Sequence, residues 1–112
     1  MKKEWLHSLD AAITICDKKG VIVYMNRKSV ETFAREGGKK LIGTNLMDCH
    51  PGEAGKKLQE LLNTEKENVY SIEKNGVKKL IIQKPVYEHG NFNGFMEMSI
   101  VLPGEMPHFQ RG

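Results

Sequence analysis

Residues 17–51 read D-K-K-G-V-I-V-Y-M-N-R-K-S-V-E-T-F-A-R-E-G-G-K-K-L-I-G-T-N-L-M-D-C-H-P. The stretch opens on a turn, D-K-K-G, in which Gly20 takes positive φ without a Cβ penalty. V-I-V-Y-M at 21–25 is a strand of β-branched and apolar residues. Strict alternation puts Val21, Val23 and Met25 on one face and Ile22 and Tyr24 on the other. Asn26 ends the strand and caps a helix, because its side-chain oxygen can accept from an unpaired N–H of the first turn. Val30, Phe33 and Ala34 recur at the spacing of one helical face, and Gly37 and Gly38 stop that helix. Leu41, Ile42, Leu46 and Met47 anchor the connection that follows, with Gly43 at a tight backbone position. Pro51 fits the first turn of a further helix, behind Cys49 and His50.

Upstream, Trp5, Leu6 and Leu9 form the apolar side of a short N-terminal helix. Residues 11–16 form a strand that pairs with 21–25 as a hairpin. Both strands are apolar on both faces, so the sheet is covered rather than open. Downstream, Glu53 places negative charge at a helix N-terminus, and Ala54, Leu58, Leu61 and Leu62 make a buried stripe. Gly52 and Gly55 weaken the first turn of that helix, and the polar run 63–67 closes it. The remainder alternates as strands: 69–73, then K-N-G at 74–76 as a tight turn, then 79–83 continuing to Tyr87. Pro85 lacks an N–H and marks a bulge or an unpaired position. E-H-G-N at 88–91 turns the chain into the strand 95–102, where Met96, Met98, Ile100 and Leu102 share one face and Glu97 and Ser99 the other. Pro103 and Pro107 end regular structure. Two strands, a helical middle and three antiparallel strands give an α+β fold with helices packed on one face of a five-stranded sheet. The chain divides into a helical cap at 1–10, a domain at 11–103 and an extended tail at 104–112.

The chain has 112 residues, enough for one domain and one modest core. No apolar run reaches the ~18 residues of a membrane span, and no secretory h-region follows Lys2 and Lys3, so a cytoplasmic location is expected. Cys16 and Cys49 are the two cysteines, and their spacing matches neither a redox motif nor a disulfide framework. The formal charge is +3. The lysine pairs at 2–3, 18–19, 39–40, 56–57 and 78–79 are spread along the chain, whereas a nucleic-acid surface needs concentrated positive charge. No nucleic-acid or membrane partner is expected.

Taken together, D-K-K-G at 17–20, V-Y-M-N at 23–26, Phe33, L-I-G at 41–43, H-P at 50–51 and G-F at 94–95 resemble the motifs of a PAS domain, in family order and over nearly the whole chain. The resemblance implies the sheet order 2-1-5-4-3. It also implies sensing, dimerisation or signal relay rather than turnover. The D-I-T-like ending and coiled-coil linker that often pass the signal onward are absent, so a free-standing or excised sensory module is expected. The N-C-R-F-L-Q-like stretch of the flavin-binding subclass is absent too.

Within that frame, an apolar ligand or cofactor would sit between the sheet and the helical segment. Candidate wall residues are His50, Cys49, Phe33, Met47, Met96, Met98, Ile82 and Tyr24. Methionine adapts to irregular cavities, although its ordinary work is filling cores. His50 would be the metal-bound residue if haem is the cofactor, since imidazole can ligate haem iron; its alternative role is a local cap at the helix boundary. No nucleophile, base and orienter converge, so no enzyme is expected. Two functions follow: a sensory module binding a small apolar ligand and signalling to a partner protein, or a ligand-free interaction module. Both place Trp5 and Leu9 near a homodimer interface formed by the N-terminal helix and a sheet face.

Overall fold

A computed structural model describes residues 3–49 and 52–112. In chain order it contains α1 (Lys3–Ser8), β1 (Ala12–Cys16), β2 (Ile22–Met25), α2 (Arg27–Thr32), two 3₁₀ turns (Ala34–Glu36 and Gly38–Leu41), α3 (Leu46–Cys49), α4 (Glu53–Thr64), β3 (Asn68–Lys74), β4 (Val77–Glu88) and β5 (Asn91–Val101). The five strands form one antiparallel sheet in the order β2-β1-β5-β4-β3. This is the order the resemblance implies.

The local chemistry explains the turns. The Asp17 carboxylate accepts from the backbone N–H groups of Lys19 (2.9 Å) and Val21 (3.0 Å), and Gly20 takes φ +87°. The β3–β4 and β4–β5 hairpins close through Asn75–Gly76 and His89–Gly90, all four residues at positive φ, the requirement of a tight hairpin turn whose twist matches the strands. His89 is thereby a turn residue.

Asn26 is the hinge pin of the first half. Its side chain is fully buried. Its Oδ1 accepts from Ser29 N (3.0 Å), capping α2, and from Ile13 N (2.9 Å) in β1. Its Nδ2 donates to Ala11 O (2.8 Å) and Leu6 O (3.1 Å). One amide therefore joins α1, β1 and α2.

Register decides the two faces of the sheet. Cys16 pairs with Phe95 and Thr14 with Glu97, Gln83 pairs with Glu97 on one side and Asn68 on the other. These residues look toward the helices: Cys16 and Phe95 pack with Leu61 and Leu62 of α4, bordered by Leu46, Leu58 and Phe92. The intervening residues, Ile15 with Met96 and Ile13 with Met98 and Ile82, point to the opposite, outer face.

Several boundaries differ from the sequence reading. The α-helix after Asn26 ends at Thr32 and tightens into a 3₁₀ turn before Gly37. Strict alternation in β2 fails, because the β1–β2 register shifts between Ile15 and Cys16; Ile22 and Met25 are both buried while Val23 is exposed. Val21 makes an isolated bridge to Asn45 instead of joining β2. Pro85 does pair with Phe95, on a stretch of β4 beyond the end of β3, where its missing N–H forfeits no second partner. The bulge lies one residue further on, between Val86 and Tyr87. The last residues, 103–112, have no regular structure and are exposed. The predicted helix start at Pro51 lies outside the described residues, as does the side chain of Ala54.

Candidate functional site

Among the described residues, two hollows lie between the sheet and the helices. The first, about 40 Å³, is walled by Thr14 and Cys16 of β1, Gln83 of β4, Phe95, Met96 and Glu97 of β5, and Leu46, Leu58 and Leu61 from the helices. The second, about 80 Å³, is walled by Thr14, Ile22, Met25, Phe33, Glu36, Leu41 and Leu46. Thr14 and Leu46 belong to both and form the partition between them.

The first hollow is mainly apolar, with the polar side chains Thr14, Gln83 and Glu97 along its sheet side. Asn68 Nδ2 donates to Gln83 Oε1 (2.9 Å), and Gln83 Nε2 donates to Glu97 Oε1 (3.1 Å). Beyond Glu97 in the same row, the Thr14 hydroxyl hydrogen-bonds Ser29 of α2. Its roof is leucine. The buried thiol of Cys16 has its pKa pushed up, mainly by desolvation and in smaller part by the charges of Asp17 and Glu97.

Of the residues expected from sequence, Phe33 lines the second hollow and Met96 borders the first, although pairing with Ile15 turns the Met96 side chain toward the outer face. Met98, Ile82 and Tyr24 are corrected: their register places them on the outer face, away from both hollows. The Tyr24 hydroxyl is buried there without a hydrogen-bond partner among the described residues. Met47 lies beside Gly20 and lines neither hollow. His50 lies outside the described residues; Cys49 ends α3 and its side chain is likewise outside them. The residues missed were Glu97, Gln83 and Thr14. Their signal was present, in that a strand covered on both faces still carried a carboxylate between Met96 and Met98.

Among the described residues no group of three or more His, Cys, Asp or Glu side chains is arranged to hold a metal ion, and no helix is long and apolar enough to cross a membrane. Cofactor-sized ligands occupy pockets of roughly 300–1,000 Å³; neither of these two hollows has that volume as it stands.

A family model described as the PAS fold matches residues 6–68. The chain belongs to the PAS family. This PAS domain is similar to a C-terminal domain from Streptococcus mutans, with 23% identity and a TM-score of 0.68 over 86% of this chain and 78% of that one. It is also similar to the Aer2 receptor from Vibrio cholerae, described as a dual PAS-heme oxygen sensor, at 14% identity and a TM-score of 0.63 over 83% and 95% of the two chains. The PAS domain of BvgS from Bordetella pertussis matches at 16% identity and a TM-score of 0.62, over 89% and 82%. No curated protein matches the chain. Identities at this level establish the shared fold. Membership of the PAS family goes with a regulatory module, not a catalyst.

Proposed function

We propose that this PAS domain is a sensory module that binds a small ligand between its sheet and helices and passes the occupancy of that site to a partner through protein contacts. The observation that supports it is the mixed wall of the first hollow: Thr14, Gln83 and Glu97 beneath Leu46, Leu58 and Leu61. A few placed polar groups in an apolar shell are the usual makeup of a small-molecule site. Ligand entry would push on Leu46 and α4, the elements packed against Cys16 and Phe95, and so reach the rest of the fold.

The test is native mass spectrometry of freshly purified protein, with a visible spectrum of the same sample. A retained mass above that of the polypeptide supports the sensor, and a Soret band lost in His50→Ala would assign the haem form. The small volumes of the two hollows favour a second reading, a ligand-free interaction module. In that reading the exposed Trp5 and Leu9 and the outer sheet face meet a second copy. Bare polypeptide mass, no visible band and a dimer in sedimentation would select it.

A further inference from the structure

The inner face of the sheet carries one carboxylate where a simple core would carry none. Glu97 stands in the wall of the first hollow with Cys16, Phe95 and three leucines. Among the described residues it takes part in no ion pair; the lysine–carboxylate pairs are elsewhere, such as Lys84 with Glu67 and Lys57 with Glu60. Its one side-chain partner among the described residues is the Gln83 amide, a neutral donor that leaves the negative charge without a cation beside it. The amides beside it are aligned in one direction. Asn68 donates to Gln83 and Gln83 donates to Glu97, which leaves the carboxylate as the acceptor end of the row. Its negative charge is felt nearby: the Tyr70 hydroxyl, raised first by burial, is raised further by Glu97. The second hollow offers apolar surface only, Glu36 and Thr14 bordering it through their carbon atoms.

We propose that the joined hollows take a small primary amine, its ammonium head on Glu97 and its short apolar body lying past Thr14 toward Phe33 and Met25. Leu46 divides the hollows, and a rotamer change there connects them. An ammonium group supplies the donors that the Asn68–Gln83–Glu97 row lacks at its acceptor end, and a carboxylate–ammonium contact is a charge-assisted hydrogen bond. An acid-headed ligand would meet the Glu97 carboxylate and no cation in the walls. This inference rests on the ligand-binding reading proposed above and narrows it to one chemical class.

The experiment is a set of ¹H–¹⁵N NMR titrations of the full chain with n-butylammonium chloride, sodium butyrate and 1-butanol, repeated on Glu97→Gln and Leu46→Ala. Butylammonium is expected to move the amides of Thr14, Gln83 and Glu97, and butyrate is not. Glu97→Gln keeps an acceptor for Gln83 and removes the charge, so it should weaken butylammonium about tenfold or more, the scale of one charge-assisted hydrogen bond, and leave 1-butanol unchanged. Leu46→Ala should strengthen both. Equal binding of butyrate and butylammonium to the unaltered chain, or an amine affinity indifferent to Glu97→Gln, overturns the amine assignment and leaves the cavity reading standing. Inner-face amides that respond to none of the three probes, in the unaltered chain and in Leu46→Ala alike, overturn both.

Discussion

Gln83 Nε2 donates to Glu97 Oε1 at 3.1 Å, across the β4–β5 pair and on the face of the sheet that looks toward the helices. The same Gln83 accepts from Asn68 of β3, so one side chain ties three strands together on the cavity floor. Gln83→Ala removes both bonds in a half-buried setting. Each is worth about 0.5–1.5 kcal/mol net, the one to the carboxylate somewhat more, and a loss of about 1–3 kcal/mol in urea unfolding is expected. A neutral result would mean that the row is decorative.

Asn26→Ala tests the other polar centre. It strips a fully buried amide that serves Ser29, Ile13, Ala11 and Leu6, leaving several backbone groups without partners. Each such group costs about 1–3 kcal/mol, so a destabilisation of about 4 kcal/mol or more is expected by chemical denaturation. That exceeds the effect of most single substitutions.

Gly94→Ala and Gly43→Ala form a matched pair. Both glycines have positive φ, +131° and +95°. A Cβ at Gly94 would overlap the Cys16 carbonyl oxygen and lie 3.0 Å from the Asp17 backbone, whereas one at Gly43 meets nothing. Gly43→Ala should therefore cost about 1–2 kcal/mol from conformation alone. Gly94→Ala should separate β1 from β5 and leave little folded protein by circular dichroism.

Cys16 gives the pH prediction. Burial, ahead of the charges of Asp17 and Glu97, raises its thiol above the ordinary 9.0. The unfolded chain then releases the proton first, so this contribution to stability is intact below pH 9 and declines as pH rises from 9 toward the folded value. In Cys49→Ser, which leaves Cys16 as the sole thiol, a disulfide reagent at pH 8 should react at a rate set by unfolding. The alkaline loss of stability should shrink in Cys16→Ala. Immediate reaction of the folded protein would contradict the burial.

The fold was legible because its punctuation is local. Asp17 and Gly20, Asn26, and Asn75 with Gly76 each carry their geometry in their own chemistry. The site was less so. Alternation separates Met96 and Met98 from Glu97 and Ser99, but it does not say which set faces the helices when both faces are covered. The apolar set was assigned to the pocket, and register reverses that through Cys16–Phe95 and Thr14–Glu97. The bulge at Ile15/Cys16 had no residue signal, so the faces of β2 were misread with it. His50 and the Cys49 side chain lie outside the described residues, and their proposed part in cofactor binding rests on the sequence.

The central claim, a ligand site between sheet and helices, is tested most directly by screening a small-fragment library against ¹⁵N-labelled protein. Fragments that bind should shift the amides of Thr14, Cys16, Phe95 and Glu97, and Leu61→Trp, which fills the first hollow, should abolish those shifts. Fragments whose shifts map to the outer-face residues Ile82, Met98 and Tyr24, or shifts that survive Leu61→Trp, would contradict it.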